Sequence, residues 1–446
     1  MQTPLYRRAP VSLAPVNDEA RIRAASLLAV DMARYLEGVG DLAYMNQALE
    51  SLEPPKRAQV FGYLPLARQA ALVKALPPPA LGELLQALAA DERADLLNHV
   101  DEALRQRLLP ALAQAERDDV LRLCSYQEGT AGALMTSEYS WLPAQLSAAE
   151  AIGVLRGQAG EAETIYQNYI LDGERRLLGT LSLRQLILAP EAEALENLMV
   201  TPVVHARVDT PAEEVARLIS DYDLLALPIV DAQARLVGIV TCDDAMDVVV
   251  EHATEDFHKG ASIAQHIGNL KTASVSLLYR KRVFWLVLLV FGNLFSGAGI
   301  AAFEDVIASN IALVFFLPLL VDSGGNAGAQ SATLMVRALA TGEVVLRDWL
   351  GLLRRECAVA LALGCTMALA VSTLGLVRGG TDIAVIVASS MLVIVLVGSL
   401  IGMSLPFAFS RLKLDPATAS GPLITSIADA AGVLVYFGIA SQVLEL

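Results

Sequence analysis

The sequence predicts a multidomain protein: an all-α, solenoid-like N-terminal domain, a tandem α/β pair, a connecting helix and a five-helix α transmembrane domain. Three observations predict it. Charge is segregated, because residues 1–279 hold 38 of the 48 acidic and 23 of the 33 basic residues, whereas 280–446 hold ten of each, so the whole net charge of −15 belongs to the first part. Apolar runs long enough to cross a bilayer all follow residue 282. The acidic part carries two internal repeats of different period, and each predicts its own domain.

The first repeat defines residues 17–130. Leucine or a relative recurs every twelve residues at Leu52, Leu64, Leu76, Leu88, Val100 and Leu112, often followed by proline, as in "LEPP" and "LPPP". Twelve residues suit one short helix and a turn, which predicts a right-angled helical stack. Its acidic residues Asp91, Glu92, Asp95, Asp118 and Asp119 have no catalytic spacing. As a run of charge they read first as a solvated face.

The second repeat defines residues 131–197 and 198–254. "GALMTSEYSWLPAQLSAAEAIGVLR" parallels "ENLMVTPVVHARVDTPAEEVARLI", and "LLGTLSLRQLI" parallels "LVGIVTCDDAM". Each copy reads helix, strand, strand, helix, with β-rich "TIYQNYILD" and "ALPIVDAQARLVGIV" between helices.

Residues 277–446 read as membrane-spanning. Val283–Phe303, Cys357–Val377 and Ile383–Ser410 contain no charge, Val306–Val336 contains only Asp322, and Pro416–Leu444 contains only Asp429. A bilayer core of about 30 Å needs about 20 helical residues, so five spans are expected. Arg280, Lys281, Arg282, Arg337, Arg347, Arg354, Arg355, Arg411 and Lys413 fall on one side and Arg378 on the other. The positive-inside rule then places the N-terminal domains in the cytosol and the C-terminus outside. The start, "MQTPLYRRAPVSLAPV", lacks the apolar core of a signal peptide, and the four cysteines form no CxxC pair, which fits a reducing compartment or lipid.

Chemistry concentrates in two of those spans. A carboxylate at the centre of an apolar helix costs about 2.5–3.5 kcal/mol on insertion scales, so Asp429 in "TSIADAAGVL" is expected to face a water-filled path. "PLLVDSGGNAGAQSATL", residues 318–334, adds Asn326, Gln330 and Ser331 as oxygen donors and Gly324, Gly325 and Gly328, which permit close approach or freed carbonyls. Small residues four apart equally suit helix–helix packing. Mg2+ sheds water reluctantly and takes oxygen ligands, so one carboxylate with neutral oxygens suits it as a hydrated ion. Histidine and cysteine, the usual transition-metal ligands, are missing from both spans. The acidic surface disfavours nucleic acid and favours cations. No GxxxxGK[ST] loop, Ser/His/Asp set or HExxH pattern occurs, so the chain is not read as an enzyme.

The "LMT…TP" starts, the "LPIVD…LVGIVT" strand pair and the tandem copy resemble cystathionine-β-synthase (CBS) domains. The order of stack, pair and spans, with "SYQEGTAGALMT", "ATEDFHK", "LPLLVDSGGNAGAQSATLMVRALATGE" and "LDPATASGPLITSIADAAGVLVYF", resembles the MgtE family of magnesium channels. The resemblance implies a homodimer in the inner (plasma) membrane with the pore between subunits. It implies Asp429 as the ligand of the hydrated ion, Gly324, Gly325 and Asn326 in the lining, and Glu304 at the outer mouth. Residues 255–276 match the connecting, or plug, helix that closes the cytosolic gate. Two residues depart from the pattern: Ala329 stands where the family has Asn, and Asp322 adds a carboxylate beside the lining.

Residues 209–256 hold twelve acidic residues against Arg217 and Arg235, and such modules repel one another unless divalent cations bridge them. Cytosolic Mg2+ is therefore expected to bind the acidic domains and close the pore. The candidate regulatory ligands are Asp223, Asp243, Asp244, Asp247, Glu255, Asp256 and Asp415, with Asp91 and Asp95 of the stack. Val250 and His252 stand where further acids were expected. Thr241 and Asp244 in "GIVTCDD" offer a hydroxyl and a carboxylate for the ribose of ATP or another adenine nucleotide, whereas the first copy has Gln185 in the carboxylate position. The alternatives are a broader permease for Mn2+, Co2+ or Ca2+ and a non-conducting metal sensor.

Overall fold

Residues 27–263 and 273–445 are described by the structure, a computed structural model. Two units compose the chain, Met1–Val249 and Val250–Leu446.

The first unit opens with α1 (Ala29–Val39), α2 (Leu42–Glu50), α3 (Pro54–Gly62), α4 (Leu66–Ala75), α5 (Pro78–Ala87), α6 (Ala90–His99), α7 (Glu102–Leu108) and α8 (Gln114–Leu123). From α3 to α8 a helix starts every twelve residues, as the leucine period predicts. Leu52, Leu64, Leu76, Leu88 and Leu112 are buried in one core with Phe61, Leu72, Leu85 and Leu96. Proline at the first positions of α3 and α5 starts those helices without losing a needed N–H. A polar group recurs in the same register: Arg57, Gln69, Arg105 and Arg117 each donate to carbonyls at or just beyond the end of the preceding helix. That answers the carbonyls each short helix leaves unpaired. Arg93 holds this register too, but its guanidinium terminus pairs with Glu138. The expected start of the stack, residues 17–26, lies outside the described residues.

The tandem pair follows as α9 (Ala131–Leu134), β1 (Tyr139–Pro143), α10 (Ala148–Gln158), β2 (Thr164–Leu171), β3 (Leu177–Ser182) and α11 (Leu183–Leu188), then α12 (Leu195–Leu198), β4 (Ala206–Arg207), α13 (Ala212–Asp221), β5 (Ala226–Val230), β6 (Leu236–Thr241) and α14 (Cys242–Gly260). Both sheets have one topology: the first two strands are parallel and the last two antiparallel. Each copy also has a short first strand that the four-element reading lacks; its partner strand lies beyond a helix, so no hairpin marks it. The arms are exchanged. Thr136 bridges to Ile239 and Val200 to Thr180, and Met135 covers Gly238 while Met199 covers Gly179. Boundaries drawn at 131 and 198 thus follow chain order, while packing places the start of the first copy on the second sheet.

The second unit contains α15 (Val275–Ala302), α16 (Glu304–Ser309), α17 (Ala312–Ala340), α18 (Trp349–Arg411) and α19 (Gly421–Val443). Among the described residues four helical segments are long and apolar enough to cross a membrane, one of them running Leu346–Arg411. At 1.5 Å per residue, a straight helix of that length would exceed a bilayer core about threefold. It is not straight. Gly380 has φ 78° and ψ −165°, a conformation other residues rarely adopt, and a Cβ on Gly375 would stand 2.7 Å from the Cα of Ala384. The two arms of α18 therefore lie side by side.

α17 stays helical through "DSGGNAGAQ", so the glycines free no carbonyls there. A Cβ on Gly398 would stand 2.2 Å from the carbonyl oxygen of Gly324, and one on Gly402 would stand 2.0 Å from that of Gly328. Glycine on both helices lets α17 and α18 meet backbone to backbone.

Candidate functional site

Two groups of polar residues stand out. The first lies where α17 meets α19. Asp322, Asn326 and Gln330 recur every four residues and are exposed along one face of α17. Asn326 Nδ2 donates to Asp322 Oδ2 at 2.9 Å. On α19, Thr425 turns its methyl toward α17 while its hydroxyl donates to the Pro422 carbonyl, and Asp429, one turn on, presents the facing polar group. Gly325 is the point of contact: a Cβ there would stand 3.2 Å from Thr425 Cγ2 and 3.5 Å from Asp429 Oδ1. The absence of a side chain at residue 325 lets the two helices approach closely here without crowding Thr425. Gly324, expected in the lining, is instead buried against Ile394 and Gly398 of α18, since one turn of helix points adjacent residues about 100° apart. Tyr436, buried on α19, donates to the carbonyl of Leu313 at 2.9 Å, fixing α19 against the turn of α17 that precedes Pro318. Glu304 is exposed at the start of α16, apart from this convergence.

The second group joins the helical stack to the tandem pair. Asp91, Glu92 and Asp95 on α6 act electrostatically on Asp244 at the start of α14, and Glu163, just before β2, acts on Asp243 and Asp244. Burial pushes the Asp91 carboxyl up to about 6, with the charge of Glu163 adding to it, and leaves Asp91 Oδ1 without a hydrogen-bond partner. Burial and Asp91 push Glu92 up to about 7. Desolvation and the like charges of Asp91 and Asp244 push Asp95 to about 7, an effect that its exposed side chain tempers. Asp244 rises to about 6 through burial, although Thr241 donates a hydrogen bond to it. Glu138 rises to about 7 through burial despite its pairing with Arg93. Among the described residues no three such groups converge closely enough to form a ready metal cage. What the arrangement offers is an electronegative junction between α6 and the start of α14 that favours protons or hydrated cations.

The regulatory candidates therefore divide. Asp91, Asp95, Asp243, Asp244 and Asp247 gather, and Asp247 acts on Asp244. Asp223 lies apart, exposed in a left-handed turn with φ 51°. Within the second unit, Lys259 Nζ binds Glu255 Oε1 at 2.9 Å and Asp415 Oδ2 at 2.6 Å. An ammonium thus stands where a bridging cation was expected. Ser262 and Ser420 hydrogen-bond beside it. Glu255 and Asp256 lie on α14, which is continuous from Cys242 to Gly260, and residues 264–272 of the expected connecting helix are outside the described residues. Sequence reasoning missed Glu163, Glu138 and Lys259, because lone charges beside a loop carry no periodic signal. Glu92, expected on a solvated face, is half-buried and accepts a hydrogen bond from the Ala89 N–H.

Apolar spans carrying a polar stripe, joined to a helical stack and a tandem α/β pair with a shared acidic cluster, define a membrane protein of the ion-transport class with appended N-terminal domains. Family models match in the same order: "MgtE intracellular N domain" over residues 27–129, "CBS domain" over 195–251 and MgtE, "Divalent cation transporter", over 317–439. The chain is 41% identical over 323 residues to the magnesium transporter MgtE of Thermus thermophilus, covering 72% of each chain. It is 38% identical over 320 residues to that of Bacillus subtilis, covering 72% of this chain and 70% of the relative. The crystal structure of the cytosolic domain of the Mg2+ channel MgtE in complex with ATP matches with a TM-score of 0.50 and 39% identity, over 52% of this chain and 95% of that one. The chain belongs to the MgtE family.

Proposed function

We propose that the chain is a homodimeric Mg2+ channel or transporter that imports magnesium across the inner (plasma) membrane and is closed by cytosolic Mg2+. The single observation that carries this reading is the approach of Asp429 to the Gly325–Asn326 turn of α17, inside spans whose one other charge is Asp322. A hydrated Mg2+ retains its water and meets carboxylate and amide oxygens, which suits an ion that dehydrates reluctantly. The polar stripe is exposed on the single chain, and α15 buries little of its apolar surface. Both features favour a second copy that encloses the path. The fold at Gly380 supports five crossings, with the C-terminus outside, and Glu304 would stand at the outer mouth.

Cytosolic Mg2+ would bind the cluster of Asp91, Asp95, Asp243, Asp244 and Asp247, offsetting the mutual repulsion these carboxylates carry once pH exceeds their raised values. α14 would carry that binding toward the pore through Glu255, Asp256, Lys259 and Asp415. Asp223 would add a surface contact between modules. The Thr241–Asp244 pair fits the ribose end of an adenine nucleotide, and ATP phosphates would have to be directed away from Asp91, Asp95 and Asp243. Flux into liposomes containing the full chain tests the reading. Wild type is expected to carry Mg2+, with Asp429→Ala reducing flux at least about tenfold, because an apolar centre would then oppose the ion. Equal flux in both proteins would refute it. A broader divalent permease is the second reading, favoured by Asp322, and a non-conducting sensor would show no flux in either protein.

A further inference from the structure

We propose that Asp322 is a second acidic ion-binding group of the pathway and determines its preference among divalent cations; this rests on the pathway reading above. Asp322 is the one charge between residues 306 and 336 and sits on the exposed polar face of α17, one turn before Asn326. The Asn326 amide donates to Oδ2 of Asp322, fixing the carboxylate's direction while Oδ1 remains able to accept a ligand. Gly325, three residues on, meets Asp429 Oδ1 across the helix contact, which sets Asp322 close to the Asp429 side of α17. The nearest basic residue along α17 is Arg337, about 22 Å further at 1.5 Å per residue. Two carboxylates from separate helices thus share one polar space without a basic partner from α17.

That doubling changes which ion is held best. A single carboxylate with amide and hydroxyl oxygens can hold an ion through its water shell, whereas two carboxylates can displace part of the shell. Ca2+ accepts more oxygen ligands in looser geometry, and Mg2+ gives up water least readily. Mn2+ is likewise served by carboxylate and water ligands. Asp322 therefore shifts the pathway toward Mn2+ and Ca2+ at the expense of Mg2+. Ala329, small and without an oxygen on its side chain, adds no competing neutral ligand.

The test compares wild type, Asp322→Asn, Asp322→Glu and Asp429→Asn, each as the full chain in liposomes, with Mg2+, Mn2+ and Ca2+ flux measured separately. The readout is the ratio of fluxes, which a purely structural effect would leave constant. Asp322→Asn is expected to lower Mn2+ and Ca2+ flux about tenfold more than Mg2+ flux, and Asp322→Glu to restore the wild-type ratio. An unchanged ratio in Asp322→Asn overturns the proposal, and so does a changed ratio that glutamate leaves unrestored. If the asparagine variant does not assemble, Mn2+ bound to solubilised wild type and Asp429→Asn is followed by electron paramagnetic resonance, and only the signal that Asp429→Asn loses is read. Stronger displacement by Ca2+ than by Mg2+ then supports the proposal, and the reverse overturns it. Wild type that carries no divalent ion removes the pathway reading itself, an outcome separate from an unchanged ratio in a conducting protein.

Discussion

Lys259 illustrates how one side chain sets the demand for a cation. Its ammonium already neutralises Glu255 and Asp415, so these carboxylates can be held together without a divalent ion. A partly exposed pair of this kind contributes about 0.5–1 kcal/mol, a factor of about two to five in an equilibrium. Lys259→Met is therefore expected to raise the internal Mg2+ concentration needed for half-closure by about two- to fivefold, read from flux at graded internal Mg2+. The acidic cluster makes a complementary prediction. Carboxyls whose folded pKa lies at about 6–7, above the ordinary value near 4, favour the folded state at low pH and lose that contribution as pH rises through the raised values. Without divalent ions, a fragment covering residues 1–263 should melt ~5 °C lower at pH 7.5 than at pH 5. Millimolar Mg2+ should restore the loss at pH 7.5 and do little at pH 5, where protons occupy the same oxygens. Circular dichroism melts at the two pH values, with and without Mg2+, check both halves of that statement.

At the scale of elements, the contact of α17 with α18 depends on four glycines, of which Gly398 and Gly402 lie in a stretch that composition reads only as lipid-soluble. A side chain at Gly402 would meet the backbone oxygen of Gly328, which cannot move aside without displacing α17. Gly402→Leu is expected to abolish a monodisperse peak in size-exclusion chromatography, while Gly438→Leu, which meets nothing within 4 Å, should leave the peak intact. The stack was legible because its period is local: the leucines and prolines that fix each short helix lie within twelve residues of one another. Its recurring arginines were equally local, and only their bonds to carbonyls at or beyond the preceding helix end give their spacing meaning. The long α18 shows the opposite case. Its composition predicts two crossings, yet hydrogen bonding around Gly380 is continuous enough that only the backbone angles there mark the turn.

Across the whole molecule, charge segregation, the two repeats and the uncharged runs are properties of neighbouring residues, so the sequence by itself determined the order of domains, the apolar spans and the presence of Asp429 and Asp322 inside them. The chain also settled that Asn326 and Gly325 lie within one turn of each other. Only tertiary structure decided that Gly325 faces Asp429 while Gly324 packs on α18, because adjacent helical residues point about 100° apart and the partner helix selects the face. It alone joined Asp91 to Asp244 and Lys259 to Asp415, pairs separated by more than 150 residues. Period and composition act along the chain, whereas a carboxylate's partner and solvation are fixed by whatever the fold brings beside it through space.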